Sequence, residues 1–446
     1  MAEDIANVTR IIDGRKVGTF QKRVAVLCGL VVAMEGFNTQ SVGYIAPALA
    51  QAFHLAPADL GLFFSLGLFG LLLGALFVAP LADRFGRRPL LLACVPTLGV
   101  CAVLTAASPS IAVLDGLRFL TGLAIGGALP NTIALTSEYS PHRRRSLIVA
   151  LMFTGFIFGS IAAGLSATRL VPAFGWQSIF ILGGVLPLLY APLLYFALPE
   201  SIRFLVQRGA PSDTIAALLR RLDPALRVGR GTRFVTEEKP SSGVSVLSLF
   251  REGRAKRTVL LWTVFFMSLL DLFLLANWLT TEMRTLGASV QTAIFVTVLF
   301  QVGGVFGTGF GWLADRIGAN IALAIAYIVG AVCVAGIGFA GANLTLVMFA
   351  VFGAGVGILG GQTVANAVSA ISYPTEIRST GVGWATGIGR VGSIIGPGLA
   401  GILLQLNVST GHIFFLAVIP ALIASAAAAG MGRVQTSFAM EKEVPA

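Results

Sequence analysis

Of 446 residues, 56% are hydrophobic and only 11% are charged, with 53 glycines. Soluble domains carry about 25% charged residues, so this balance excludes a soluble enzyme or scaffold and points to a polytopic helical membrane protein. The formal net charge of +11 comes from where the basic residues sit along the chain, and no nucleic-acid partner is implied.

In chain order, residues 1–23 are polar and mixed in charge, a tail with no cleavable leader. A membrane span needs about 20 mostly apolar residues. Twelve such stretches follow: 24–46, 60–81, 89–107, 112–136, 146–168, 176–197, 257–281, 290–313, 319–340, 343–372, 380–404 and 411–431. The polar segment 199–256 divides them into two sets of six, giving halves at 24–198 and 257–431 and a C-terminal tail at 432–446. Within that segment, Thr214-Ile-Ala-Ala-Leu-Leu-Arg-Arg-Leu222 reads either as a surface amphipathic helix or as a partly ordered linker. Of the 31 Lys and Arg residues, 27 fall in one alternate set of connections and tails. Only Arg169 and Arg284 fall in the other set. Positive charge favours the cytoplasm, so both termini and the central loop are expected there, in the inner membrane.

The run Ala79-Pro-Leu-Ala-Asp-Arg-Phe-Gly-Arg-Arg88 returns 232 residues later as Gly311-Trp-Leu-Ala-Asp-Arg-Ile-Gly-Ala-Asn320. Pro141, Arg145 and Pro187 recur as Pro374, Arg378 and Pro420 at an offset of 233. The chain is therefore expected to be all-α, with twelve transmembrane helices in two parallel six-helix halves and a substrate site near mid-membrane.

Four charged residues lie inside spans, where burial is costly and a cavity is the usual reason for them. Glu35 is about 18 Å into span 1, at 1.5 Å per residue. Asp271 is at similar depth in span 7, Arg390 is near the middle of span 11, and Arg118 is in the outer third of span 4. Asp271 corresponds to Asn38 in the repeat. A buried carboxylate is held protonated by desolvation and ionised by a nearby cation, so Glu35 and Asp271 are the candidates for a coupling proton. A structural pair such as Glu35 with Arg118 is the plainer alternative. Arginine keeps its proton, so Arg390 or Arg118 suits a substrate carboxylate through paired hydrogen bonds. Asn38, Asn277 and Gln362 are candidates for substrate polar groups or for interhelical bonds. Phe37 and Trp278 are candidates for a flat ring, with an interfacial position as the alternative for Trp278.

In the turns, Asp83 and Asp315 are each expected to face the start of a helix in the other half, near Thr380 and Ser146. A carboxylate stabilises such a start by about 0.3–1 kcal/mol. With Arg84, Arg87, Arg88, Arg145, Arg316 and Arg378 they form a candidate gate, and Arg87 and Arg88 are matched to Glu138. The cysteines Cys28, Cys94, Cys101 and Cys333 sit in apolar stretches as small hydrophobes. With no phosphate loop, metal-ligand spacing or catalytic triad, neither a cofactor nor an enzyme is expected.

The Asp-Arg turns and Gly116-Leu-Arg-Phe-Leu-Thr-Gly122 resemble the major facilitator superfamily, whose fold has this twelve-helix plan. Met34-Glu-Gly-Phe-Asn-Thr-Gln40, Gly43-Tyr-Ile-Ala-Pro47, Ala128-Leu-Pro-Asn-Thr-Ile-Ala-Leu-Thr-Ser-Glu-Tyr139, Asn277-Trp-Leu279, Gly387-Ile-Gly-Arg-Val-Gly392 and Gly396-Pro397 resemble its aromatic acid:proton symporters. That resemblance implies uptake of benzoate- or hydroxybenzoate-type acids with a proton, in service of aromatic catabolism, by a carrier expected to be monomeric. The family's second span-1 acid is Asn38 here, a departure for which Asp271 compensates from the equivalent repeat position. Pro199-Glu-Ser-Ile-Arg203 also fits a sugar or polyol porter. Drug efflux and a substrate-sensing receptor complete the alternatives.

Overall fold

A computed structural model of the chain describes residues 5–14, 17–222, 232–236, 246–341, 343–374 and 377–442. Most of the central-loop stretch expected as linker, 223–231 and 237–245, lies outside the described residues. Among the described residues, twelve helices are long and apolar enough to cross a membrane. They are α1 (Thr19–Phe53), α2 (Pro57–Phe85), α3 (Arg87–Ala106), α4 (Ile111–Tyr139), α5 (His142–Phe174), α6 (Gln177–Ala197), α7 (Ala255–Thr285), α8 (Val290–Ile317), α9 (Ala319–Ala340), α10 (Leu344–Ile371), α11 (Thr380–Gln405) and α12 (Gly411–Gly432). Several outrun the apolar stretches read from sequence, because a helix continues into polar residues once its ends leave the hydrocarbon. One consequence is that Glu282, expected just beyond span 7, lies inside α7 and is buried. Large side chains such as Phe196 (82% exposed) and Phe339 (78%) stand on the outside, where lipid rather than water must cover them.

The duplication seen in sequence recurs in the packing. A Cβ added at Gly70 of α2 would lie 2.1 Å from the Phe119 carbonyl oxygen of α4. One added at Gly303 of α8 would lie 2.2 Å from that of Phe352 in α10. Both residues of this contact are displaced by 233, as are those of the next one, Gly74 on Leu123 and Gly307 on Val356. Only glycine allows backbones this close. The repeat thus preserves a helix-packing contact.

By contact density the chain gathers into two compact units. The first comprises residues 1–39, 69–159 and 180–241. Its apolar core joins α1, α3, α4 and α6 through Cys28, Leu91, Leu135 and Leu194. Ile215 and Leu219 of the short helix Ser212–Leu222 enter the same core. The amphipathic segment therefore lays its apolar face on protein. Strand Ile5–Asn7 pairs in parallel with Arg233–Val235, tying the N-terminal tail to the central loop. The second unit comprises 40–68, 160–179 and 242–446. Its core joins α7, α9, α10 and α12 through Phe265, Tyr327, Val364 and Ala424.

The second unit takes in the far ends of α1, α2 and α5, which join second-half helices along a seam of small residues. A Cβ at Gly43 would lie 2.4 Å from the Ala276 carbonyl oxygen. The Ser65 hydroxyl donates to the Ile394 carbonyl at 2.7 Å.

Candidate functional site

In the second unit, Asp271 sits midway along α7, 1% exposed. Neither carboxylate oxygen has a hydrogen-bond partner. Buried polar atoms are satisfied in the great majority of cases, so two such oxygens on one side chain are exceptional. One turn earlier, the Ser268 hydroxyl donates to Gln362 Oε1 on α10 at 2.7 Å, and Gln362 Nε2 reaches Asn366 Oδ1 at 3.3 Å. Tyr327 arrives from α9, with its hydroxyl beside Ser268 and within electrostatic reach of Asp271. Its ring passes α10 at Gly361, where a Cβ would lie 2.8 Å from it. Arg390 on α11 is half-buried and engaged in interactions. Two residues on, Gly392 packs against the Phe266 backbone of α7, which brings Arg390 onto the helix that carries Asp271.

Asn277 and Trp278 lie further along α7. The Asn277 amide donates to the Phe273 carbonyl at 2.7 Å. Trp278 is 2% exposed, donates its indole N–H to the Pro397 carbonyl at 2.9 Å, and meets Phe64 edge-on at 5.5 Å. That packing occupies the ring expected to stack on substrate or to lie at an interface. Pro397 has no N–H and weakens α11 at this point, and Trp278 and Ser65 both donate to carbonyls beside it.

In the first unit, Glu35 is buried and engaged. Asn38, one turn on, donates to the Met34 and Gly183 carbonyls, both at 3.0 Å. Arg118 of α4 is buried and donates to the Asn38 carbonyl at 3.3 Å. Phe37 is buried against Gly183 of α6. Glu35, Asn38, Phe37 and Arg118 thus form a packed polar knot within α1, α4 and α6.

The first Asp-Arg turn is the centre of a second cluster. Gly86, at φ 103°, starts α3 and has no side chain with which to cap it. Glu200 supplies the cap from 113 residues away, its Oε1 accepting from the Arg87 N–H at 3.0 Å and the Arg88 N–H at 3.2 Å. A carboxylate at the N-terminus satisfies orphan donors and complements the dipole. Arg87 pairs with Glu138 at 3.5 Å and with Asp83 at 3.2 Å. Arg88, expected to share Glu138, donates instead to the Tyr195 carbonyl at 2.6 Å. Ser201 donates to Glu138, and Tyr139 donates to the Glu200 carbonyl at 2.6 Å. Arg208 reaches the Arg84 carbonyl. Sequence reading assigned Glu200 no role here; its Pro-Glu-Ser motif was the only signal.

The remaining gate candidates are less bound. Asp315 is exposed, and Arg316 lies over the Trp312 ring at 4.0 Å. Arg378 is exposed and donates to the Tyr373 carbonyl at 3.4 Å. Arg145 is half-buried, its Nε without a hydrogen bond. Among the described residues, no group of three or more His, Cys, Asp or Glu side chains is placed to hold a metal.

The family model of the Major Facilitator Superfamily matches residues 28–361 and 261–437. The chain is 40% identical to the gallate transporter of Pseudomonas putida over 426 residues, 95% of this chain and 94% of that one. It is 38% identical to the 4-hydroxybenzoate transporter of the same organism, covering 94% of each. It is 32% identical to the benzoate transport protein of Acinetobacter baylyi, covering 94% of this chain and 91% of that one. Among solved structures, a D-xylose-proton symporter superposes with TM-score 0.71 at 18% identity, covering 93% of this chain and 97% of that chain. A bacterial homologue of the lysosomal transporter Spinster, inward-facing and occupied, gives 0.74 at 15% identity, covering 94% and 98%. At those identities the structures establish the fold alone. Sequence and fold together place this chain in the major facilitator superfamily, as a multi-pass membrane transporter rather than an enzyme.

Proposed function

We propose that this protein imports an aromatic carboxylic acid of the benzoate or hydroxybenzoate type together with a proton, by alternating access, across the inner membrane with both termini in the cytoplasm. The relatives named for gallate, 4-hydroxybenzoate and benzoate support the substrate class. The observation that carries the coupling is Asp271, fully buried with both oxygens unpartnered. An ionised carboxylate there is a bare charge in a low-dielectric interior, and a bound proton removes that cost. When the site opens to water the cost of ionisation falls and the proton can leave. Arg390, one helix away, holds the substrate carboxylate, while Arg118 and Glu35 stabilise the first unit as a packed polar knot. The seam at Gly43 and Ser65 is the outer gate in its closed state. The Asp83–Arg88 cluster belongs to the inner gate.

Uptake of labelled benzoates and sugars into vesicles, with and without a pH gradient, tests this reading. Accumulation of an aromatic acid is expected to need the gradient and to collapse with a protonophore. Unimpaired accumulation under the protonophore rejects symport, and accumulation of sugars alone rejects the substrate class. Asp271→Asn is expected to abolish gradient-driven accumulation while retaining exchange of internal for external substrate. If Asp271→Asn accumulates normally and Glu35→Gln does not, the proton site is Glu35.

A further inference from the structure

Around Asp271 the hydrogen-bonding capacity does not balance. Ser268 commits its one proton to Gln362, and Gln362 turns its amide toward Asn366, so neither donates to Asp271. The carboxylate keeps an acceptor oxygen in either protonation state, two when ionised and one when protonated. Tyr327, 1% exposed, has a hydroxyl that makes no hydrogen bond of normal geometry. This leaves a buried acceptor and a buried donor close together on α7 and α9, with Gly361 keeping α10 clear of the Tyr327 ring. Asn366 is exposed and Gln362 half-buried, so a polar track runs inward from the protein surface to Ser268, one turn from the carboxylate. A phenolic hydroxyl is a donor and an acceptor on one atom. It satisfies both groups at once, which an unsubstituted ring edge cannot do. A site built to bond a hydroxyl rejects the analogue that lacks it, because its own polar groups are then left unpaired.

We propose that Asp271 and Tyr327 bind a ring hydroxyl of the substrate, Asp271 accepting and Tyr327 donating, so that the carrier selects hydroxylated aromatic acids over unsubstituted ones. This rests on the aromatic-acid reading above and names the substrate more narrowly. It does not depend on which residue carries the coupling proton.

The test is substrate counterflow in proteoliposomes without a pH gradient, which requires no net proton movement. The probes are benzoate, 3- and 4-hydroxybenzoate, and 4-methoxybenzoate, whose ether oxygen accepts but cannot donate. The better hydroxylated isomer is expected to exceed benzoate by about tenfold or more in kcat/KM, with the methoxy compound grouped with benzoate. Tyr327→Phe is expected to shrink that ratio several-fold. Because both substrates are measured on the same protein, the ratio is independent of how much variant folds. A wild-type ratio near one for both isomers, or an unchanged ratio in Tyr327→Phe, overturns the inference and leaves aromatic-acid transport standing. Failure of the wild type to carry any of the four acids overturns both.

Discussion

The two Asp-Arg turns have nearly the same backbone and very different surroundings. Gly86 and Gly318 sit at φ 103° and 92°, and each starts a helix that it cannot cap. At the first turn, Glu200 reaches the exposed N–H groups, Arg87 reaches Glu138, and Arg88 reaches Tyr195. At the second, Ala319 and Asn320 stand in place of the two arginines, and the turn's own Arg316 rests on Trp312. Duplication therefore preserved the turn and let its side-chain network diverge. The membrane interior repeats the lesson: Asn38 has its amide bonded to two carbonyls, whereas its counterpart Asp271 has neither oxygen bonded. A shared scaffold carries a fixed polar knot in one half and an available carboxylate in the other.

The sharpest way to break this comparison is to make the same substitution in both turns. Gly86→Ala and Gly318→Ala each force a side chain into a left-handed φ, at a cost of about 1–3 kcal/mol. At Gly318 nothing lies within 4 Å of the added Cβ, so that cost stands alone. At Gly86 the Cβ would lie 2.3 Å from Glu200 Oε2, displacing the cap and adding about 1.5–3 kcal/mol for lost charge-assisted bonds. Thermal unfolding of the detergent-purified protein should show a clearly larger loss for Gly86→Ala. Equal losses mean that the Glu200 network contributes nothing to stability.

Glu200→Ala removes that network without straining the turn. It leaves the Arg87 and Arg88 N–H groups unpaired, and a loss of about 2 kcal/mol is expected. In the double variant with Gly86→Ala the two effects should fall short of adding, because both remove the same bonds. Full additivity by the same unfolding measurement separates the strain from the cap.

How much of this was legible in sequence follows the range of the interactions. Spans, charge asymmetry and repeat are local or periodic properties of the chain, and all twelve helices were readable from them. Asp271 stood out because a charge in an apolar run is visible in one dimension. Glu200 did not, since its work is done 113 residues away. Tyr327 looked like one more aromatic in a span, and only the gap at Gly361 brings it to Ser268. Trp278 was visible as a residue but not as one already packed against Phe64 and Pro397.

The smallest expected stability effect belongs to Asp83. Its carboxylate pairs with Arg87 at 3.2 Å but its side chain is 76% exposed, and exposed pairs contribute about 0–1 kcal/mol. Arg87 keeps Glu138 when Asp83 is neutralised, so Asp83→Asn should unfold within about 1 kcal/mol of the wild type. If Asp83 belongs to the inner gate, its contribution is made during turnover and not in the resting fold. Initial uptake rates should then fall while the amount of protein inserted in the membrane stays constant. Wild-type uptake by Asp83→Asn would remove it from the gate and leave the first turn's network purely structural.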